Sequence, residues 1–180
     1  MSSSVVSLQV GQCGIQLGTS LLETIAGEEV GTSPEGGLSG TFFRQQRLVA
    51  SDSYSIKGTI QRTHPRSVLV DMEPKVIEST VRSENESPLF TFDPRSTFAK
   101  QSGSGNNWAR GYFEYGSQYG DDILDKARRE VEKCDMFGGF LVMQSLAGVT
   151  GSGLGARLAQ LLKDDFQSNF LLNHCVWPYD

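Results

Sequence analysis

Residues 137–166, FGGFLVMQSLAGVTGSGLGARLAQLLKDDF, set an apolar run, a glycine-rich turn and a helix-period stretch in immediate succession. Leu154, Leu158, Leu161, Leu162 and Phe166 fall on one helical face, whereas FGGFLVMQSL has no such period and reads as a buried strand. A strand that passes through a tight turn into a helix returns across the sheet, so the next strand lies parallel to the first. The same order recurs upstream. Val5 to Val10 reads as a short buried strand, GQCG as a tight turn, and Ile15 to Ala26 as a helix that Gly27 stops. SVLV at 67–70 is another strand, and Pro74 suits the first turn of a helix through Val76, Ile77 and Val81. Ile123, Leu124, Ala127 and Val131 predict a third helix that starts at Asp121 or Asp122, and CVW at 175–177 is a last strand. Strands alternating with helices predict the α/β class: a Rossmann-like parallel sheet with helices on both faces.

Length and charge narrow the function. A chain of 180 residues with 38% hydrophobic content suits one core, and chains of this size bury roughly 70% of their unfolded surface. A formal net charge of −5 speaks against nucleic acid or a membrane surface as partner, since those call for a clustered basic face. Cys13, Cys134 and Cys175 are an odd number without CxxC spacing, which fits a reducing cytoplasm rather than a disulfide scaffold. No apolar run approaches the roughly 18 residues of a membrane helix, and MSSSVVSLQVGQCG lacks the pattern of a signal peptide. Residues 28–66, rich in Gly, Ser, Thr and Pro, read as a long surface excursion with a short irregular strand near TFFRQQRLV.

The glycine turn is the strongest chemical signal. A P-loop needs Lys after its second glycine, and here Leu154 follows Gly153. Gly151-Ser-Gly153-Leu-Gly-Ala156 satisfies the dinucleotide pattern G-x-G-x-x-A, but it follows earlier βα units. Asp164 and Asp165 fall inside the next helix instead of ending the next strand. A plain strand-to-helix turn is the bland alternative. In favour of anion binding, small residues let backbone N–H groups approach closely, and the helix beyond adds unpaired donors and a positive dipole end. Thr150 and Ser152 offer hydroxyl donors. In a parallel sheet, GQCG, DMEP and QSGSGNNW would converge with this turn beyond the carboxyl ends of the strands.

Those four turns, in this order, resemble the tubulin superfamily: VGQCGIQLG its first nucleotide loop, VDMEP its second, QSGSGNNWARGY its third and LAGVTGSGLGARL its glycine signature. DMEPKVI, KQSGSGNNWARGY, REVEKCD and WPY look most like the delta-tubulin branch, associated with centrioles and basal bodies. A prokaryotic division-ring GTPase and a Rossmann oxidoreductase are the competing readings. The resemblance implies a GTP- and GDP-binding cytoskeletal protein of the cytoplasm that uses Mg²⁺. Its partners would be other tubulin subunits in head-to-tail contact, within a microtubule or centriole.

Carried onto this chain, the resemblance has Gly11, Gln12 and Cys13 bordering the phosphates and ribose, with Gln16 close to the base. Ser104, Gly105 and Asn106 would close over phosphates and sugar, and Ser145, Ala147, Gly148, Val149, Thr150 and Gly151 would form the phosphate loop. Asp71 and Glu73 would face Mg²⁺ and the terminal phosphate, since a hard cation takes carboxylate oxygens and keeps several waters. The structural alternatives are a helix-start preference for Asp71 and Glu73, a small buried hydrophobe for Cys13, a turn cap for Asn107 and a core side chain for Trp108. Ala147 and Val149 stand where the family has glycine. A β-branched residue at positive φ costs about 1–3 kcal/mol, so Val149 is expected to weaken phosphate binding. The resemblance also implies that the 180 residues are part of a GTP-binding domain, without the intermediate and C-terminal domains. The acidic loop that assists hydrolysis would come from a neighbouring subunit, so no turnover is expected of this chain alone.

Overall fold

The computed structural model describes residues 3–32, 38–49, 59–84, 89–101 and 106–177. Along the chain come β1 (Ser4–Val10), α1 (Gly11–Thr32), β2 (Phe43–Val49), β3 (Thr59–Pro65), β4 (Ser67–Asp71) and α2 (Pro74–Glu84). There follow β5 (Thr97–Ala99), α3 (Gly116–Val131), β6 (Phe137–Ser145), α4 (Gly155–Asp165) and β7 (Phe170–Val176). Five strands form one sheet in the order β5-β4-β1-β6-β7, every pairing parallel, and β2 and β3 form a separate antiparallel hairpin. The chain leaves β1 on one side for β4 and β5 and returns on the other as β6 and β7. The strand order therefore reverses between β1 and β6, where open α/β sheets hold their ligands.

Helices cover both faces of the central strands, as the alternating pattern predicts. Val6, Leu8 and Val10 of β1, with Val68, Val70, Phe140 and Val142, pack against Ile123, Leu124 and Ala127 of α3 and Leu158 and Leu162 of α4. On the other face Leu69 meets Ile15, Leu22 and Ala26 of α1, Ile77 of α2, and Phe43, Phe90 and Phe92. All five residues of β4 are buried, which is why SVLVD carries no polar alternation.

Several boundaries differ from those the sequence predicts. α1 starts directly at Gly11 and continues through Gly27 and Gly31. A Cβ at either glycine would meet nothing within 4 Å among the described residues, and a surface glycine weakens a helix without ending it. α3 begins at Gly116 rather than Asp121, after a π-helical turn over Arg110–Tyr115. Asn107 Oδ1 accepts from the amides of Ala109 (3.0 Å) and Arg110 (3.4 Å) and so caps that turn. Within 28–66, residues 28–32 complete α1, and the expected irregular strand is β2, paired with β3 from Phe43↔Pro65 to Val49↔Thr59. Among the described residues no helix is long and apolar enough to cross a membrane.

Candidate functional site

Two helix N-termini lie side by side beyond β1 and β6. At Gly11 the chain turns from β1 into α1 with φ +73°, and a Cβ there would come 3.1 Å from the Gly151 amide nitrogen. Glycine meets both demands. At Gly14 a Cβ would fall 2.2 Å from the Met143 carbonyl oxygen, so α1 rests directly on β6. After β6, Gly148 takes φ +86° and a π-helical turn, Thr150–Leu154, leads into α4. A Cβ on Gly151 would lie 3.0 Å from Ser145 O and 3.1 Å from Ser145 N. The recorded backbone bonds of that turn start with Gly153 and Leu154, both donating to Val149 O (3.0 and 3.2 Å). The first amides of a helix have no partner within it, so these two helices aim unpaired donors and positive dipole ends at one place.

That place is a cleft of about 1040 Å³. Gly11, Gln12, Cys13 and Gln16 of α1 line it, with Asp71 at the end of β4, Glu73 just beyond it, Asn106, and Ser145, Ala147, Gly148, Val149, Thr150 and Gly151 of the glycine turn. Each of these was singled out in the sequence, and the fold brings them together. Ser104 and Gly105 lie outside the described residues. Lys75, Glu78 and Gln101 also line the cleft, and the sequence reading passed over them. Lys75 carried one signal, a cation in a first helical turn where an acid is preferred.

Val149 requires a correction. Its φ of −92° and ψ of −51° are ordinary right-handed values, so the expected strain is not there. The residue is 3% exposed and its side chain belongs to the core cluster beneath the turn. The positive φ falls one position earlier, at Gly148, which is a glycine. Ser152 also departs from expectation, because its hydroxyl is bonded to the Gly148 carbonyl within the turn rather than directed outward. Trp108 is not a core side chain: it is exposed and stacks on Tyr112 with ring centroids 4.8 Å apart. Asp165 forms a two-pronged pair with Arg128 (2.8 and 2.9 Å), which leaves no role for it at a nucleotide ribose.

The acids have unequal surroundings. Asp71 is 5% exposed; its Oδ1 accepts from the amides of Met72 (2.7 Å) and Glu73 (3.3 Å), while its buried Oδ2 has no partner among the described residues. Burial pushes its carboxyl above the usual range, against those two amide bonds, and the neighbouring Glu73 charge adds to the rise. Glu73 is exposed. No group of three or more His, Cys, Asp or Glu residues among the described residues is placed to hold a metal ion. An unsatisfied carboxylate oxygen next to an exposed one fits a cation that draws its remaining ligands from phosphate and water, which is the habit of Mg²⁺.

The third turn docks on the glycine turn. A Cβ on Gly153 would fall 2.4 Å from Trp108 O, and one on Gly111 would fall 2.3 Å from Val149 O. Backbone thus meets backbone at both positions, which couples the segment after Asn106 to the anion-facing loop.

Residues 4–180 match the family model described as Tubulin/FtsZ family, GTPase domain. The chain is 36% identical over 176 residues to the tubulin delta chain of Homo sapiens and likewise to that of Macaca fascicularis. The alignment takes in 98% of this chain and 38% of those relatives. It is 39% identical over 174 residues to the tubulin beta chain of Porphyra purpurea, covering 97% of this chain and 37% of that one. The chain thus spans less than two fifths of the length of these relatives. With a single family model covering all but its first three residues, the chain belongs to the Tubulin/FtsZ family.

Proposed function

We propose that the cleft beyond β1, β4 and β6 binds GTP and GDP together with Mg²⁺. The observation that carries this reading is the pair of abutting helix N-termini at the strand-order reversal, with Gly11 and Gly148 at positive φ. Gly11, Gln12 and Cys13 and the turn at 145–151 border the phosphates, Gln16 lies toward the base, and Asn106 closes from the third turn. Asp71 and Glu73 hold the cation, directly or through water, and the cation offsets phosphate charge. Competition binding with GTP, GDP and NAD under one set of conditions tests the reading. Guanine nucleotides are expected to displace a labelled GTP analogue and NAD is not; displacement by NAD alone would end the reading in favour of a dinucleotide enzyme.

In this reading the protein is a delta-like tubulin of the cytoplasm that makes head-to-tail contacts with other tubulin subunits and serves microtubules of centrioles or basal bodies. The names of the relatives support it. A tagged chain expressed in ciliated cells is expected to coincide with a centriole marker; a uniformly diffuse signal would remove the placement and leave nucleotide binding standing. Hydrolysis is completed by an acidic loop from the neighbouring subunit, so the purified chain holds GTP without sustained phosphate release. Turnover that tracks the chain through purification and vanishes in Gly151→Val would overturn that division of labour.

A further inference from the structure

Lys75 stands in the first turn of α2, where the positive end of the helix dipole already lies and where no acid is present. A cation in that position is opposed by the dipole, and breaking a local rule of this kind is characteristic of functional sites. Glu78, three residues on, is the neighbour a helix surface offers for an ion pair, yet Lys75 has no ion pair among the described residues. Both line the cleft, as do Asp71 and Glu73, and Lys75 is the only Lys or Arg in its wall among the described residues. Among the described residues the wall thus holds three carboxylates and one ammonium. Asp71 adds a second demand, since its carboxylate is almost wholly buried and one oxygen has no partner among the described residues. Three acids repel a polyphosphate unless cations intervene. One divalent cation leaves a nucleoside triphosphate with about two negative charges uncompensated.

We propose that Lys75 binds the terminal phosphate of a nucleoside triphosphate and gives the cleft its preference for triphosphate over diphosphate. The proposal rests on the nucleotide-binding reading above and deepens it. The glycine turn and α1 anchor the phosphate chain at β1 and β6, whereas Lys75 sits across the cleft, with the acids at and after the end of β4. A group extending from the anchored phosphates toward those acids meets the ammonium there. A diphosphate, one phosphoryl shorter, stays with the glycine turn.

The test titrates the whole chain and its Lys75→Gln and Lys75→Arg variants with GTP and with GDP in excess Mg²⁺. Lys75→Gln is expected to weaken GTP binding about tenfold, the scale of one charge-assisted hydrogen bond, and to leave GDP within about twofold. Lys75→Arg is expected to keep most of the GTP affinity. Melting without nucleotide serves as the structural control: Lys75→Gln is expected to hold or raise Tm, because it removes an unfavourable charge from the helix start. Equal losses for both nucleotides, or no loss for either, overturn the assignment while nucleotide binding stands. A parent chain that binds neither nucleotide overturns both readings together.

Discussion

A residue's neighbours, not its type, decide what it does in the glycine turn. Val149 stands where the resemblance leads one to expect glycine, but its backbone is right-handed and its side chain belongs to the core cluster with Tyr115, Leu154 and other apolar groups. Shortening it therefore removes packing instead of relieving strain. Val149→Ala is expected to cost about 2 kcal/mol of stability and to leave GTP affinity no better than before, readable from urea unfolding and nucleotide titration of the same sample. A gain in affinity would restore the strain account. Gly151 is the opposite case, because a Cβ there presses on Ser145 backbone atoms at 3.0 and 3.1 Å. Gly151→Val is expected to abolish binding by moving the turn off the strand end. The sequence exposed the residues that backbone geometry demands: glycines where φ is positive or another chain segment touches, and carboxylates that follow a strand. It hid Val149's harmless conformation, because a missing glycine looks like strain until the φ is known. It also hid Lys75, whose one signal, a cation in a first helical turn, has no period or spacing to reinforce it.

At the scale of elements, polar clamps join segments that apolar periodicity does not mark. Arg44 of β2 donates to Asp93 Oδ2 (2.6 Å) and to Glu130 Oε2 of α3 (3.3 Å), while Arg95 reaches Asp93 (2.9 Å) and Lys133 reaches Glu130 (2.6 Å). Glu130 is fully buried and also accepts from the Ser96 hydroxyl. The network fastens the β2–β3 hairpin to α3. Burial of Asp93 alone would raise its carboxyl, but hydrogen bonds from the Arg95 side chain and amide and from Arg44 outweigh it and hold the group well below the usual carboxylate range. A carboxyl depressed in the folded state stabilises above its ordinary value of 3.8, and that stability drains away as pH falls below it. Asp93→Asn is expected to cost about 2–3 kcal/mol near pH 7, with the deficit shrinking toward about pH 3. A deficit that stays constant across that range in chemical unfolding would mean the charge of Asp93 contributes nothing. The sequence revealed β1, β4, β6 and α4 because each has a buried apolar set. It concealed β3, whose TIQRTHP has no apolar alternation, and β5, which is only three residues long.

For the whole molecule, coverage of the sheet is uneven. Parallel sheets are ordinarily covered on both faces, and here β1, β4 and β6 are, by α1 and α2 on one side and α3 and α4 on the other. Of β7 only Leu171 packs into the core cluster, while Phe170 and Leu172 of the strand and Trp177 just after it are 54%, 60% and 71% exposed. The strand is also the last in the sheet order and, among the described residues, pairs on one side only, with β6. Its sequence explains why just CVW was foreseen: Asn173 and His174 interrupt the apolar run, and a strand half open to water has no buried set to show. An exposed edge with large apolar side chains is a template for another chain, and a net charge of −5 spread over 180 residues opposes association only weakly at physiological salt. The purified chain is therefore expected to self-associate as its concentration rises, seen as a growing sedimentation coefficient. Leu172→Lys places a charge on that edge at a position that contributes little to the core, so it is expected to suppress association while leaving Tm unchanged. A chain that stays monomeric at every concentration, or a Leu172→Lys variant that associates as strongly as the parent, would show that β7 is not the surface responsible.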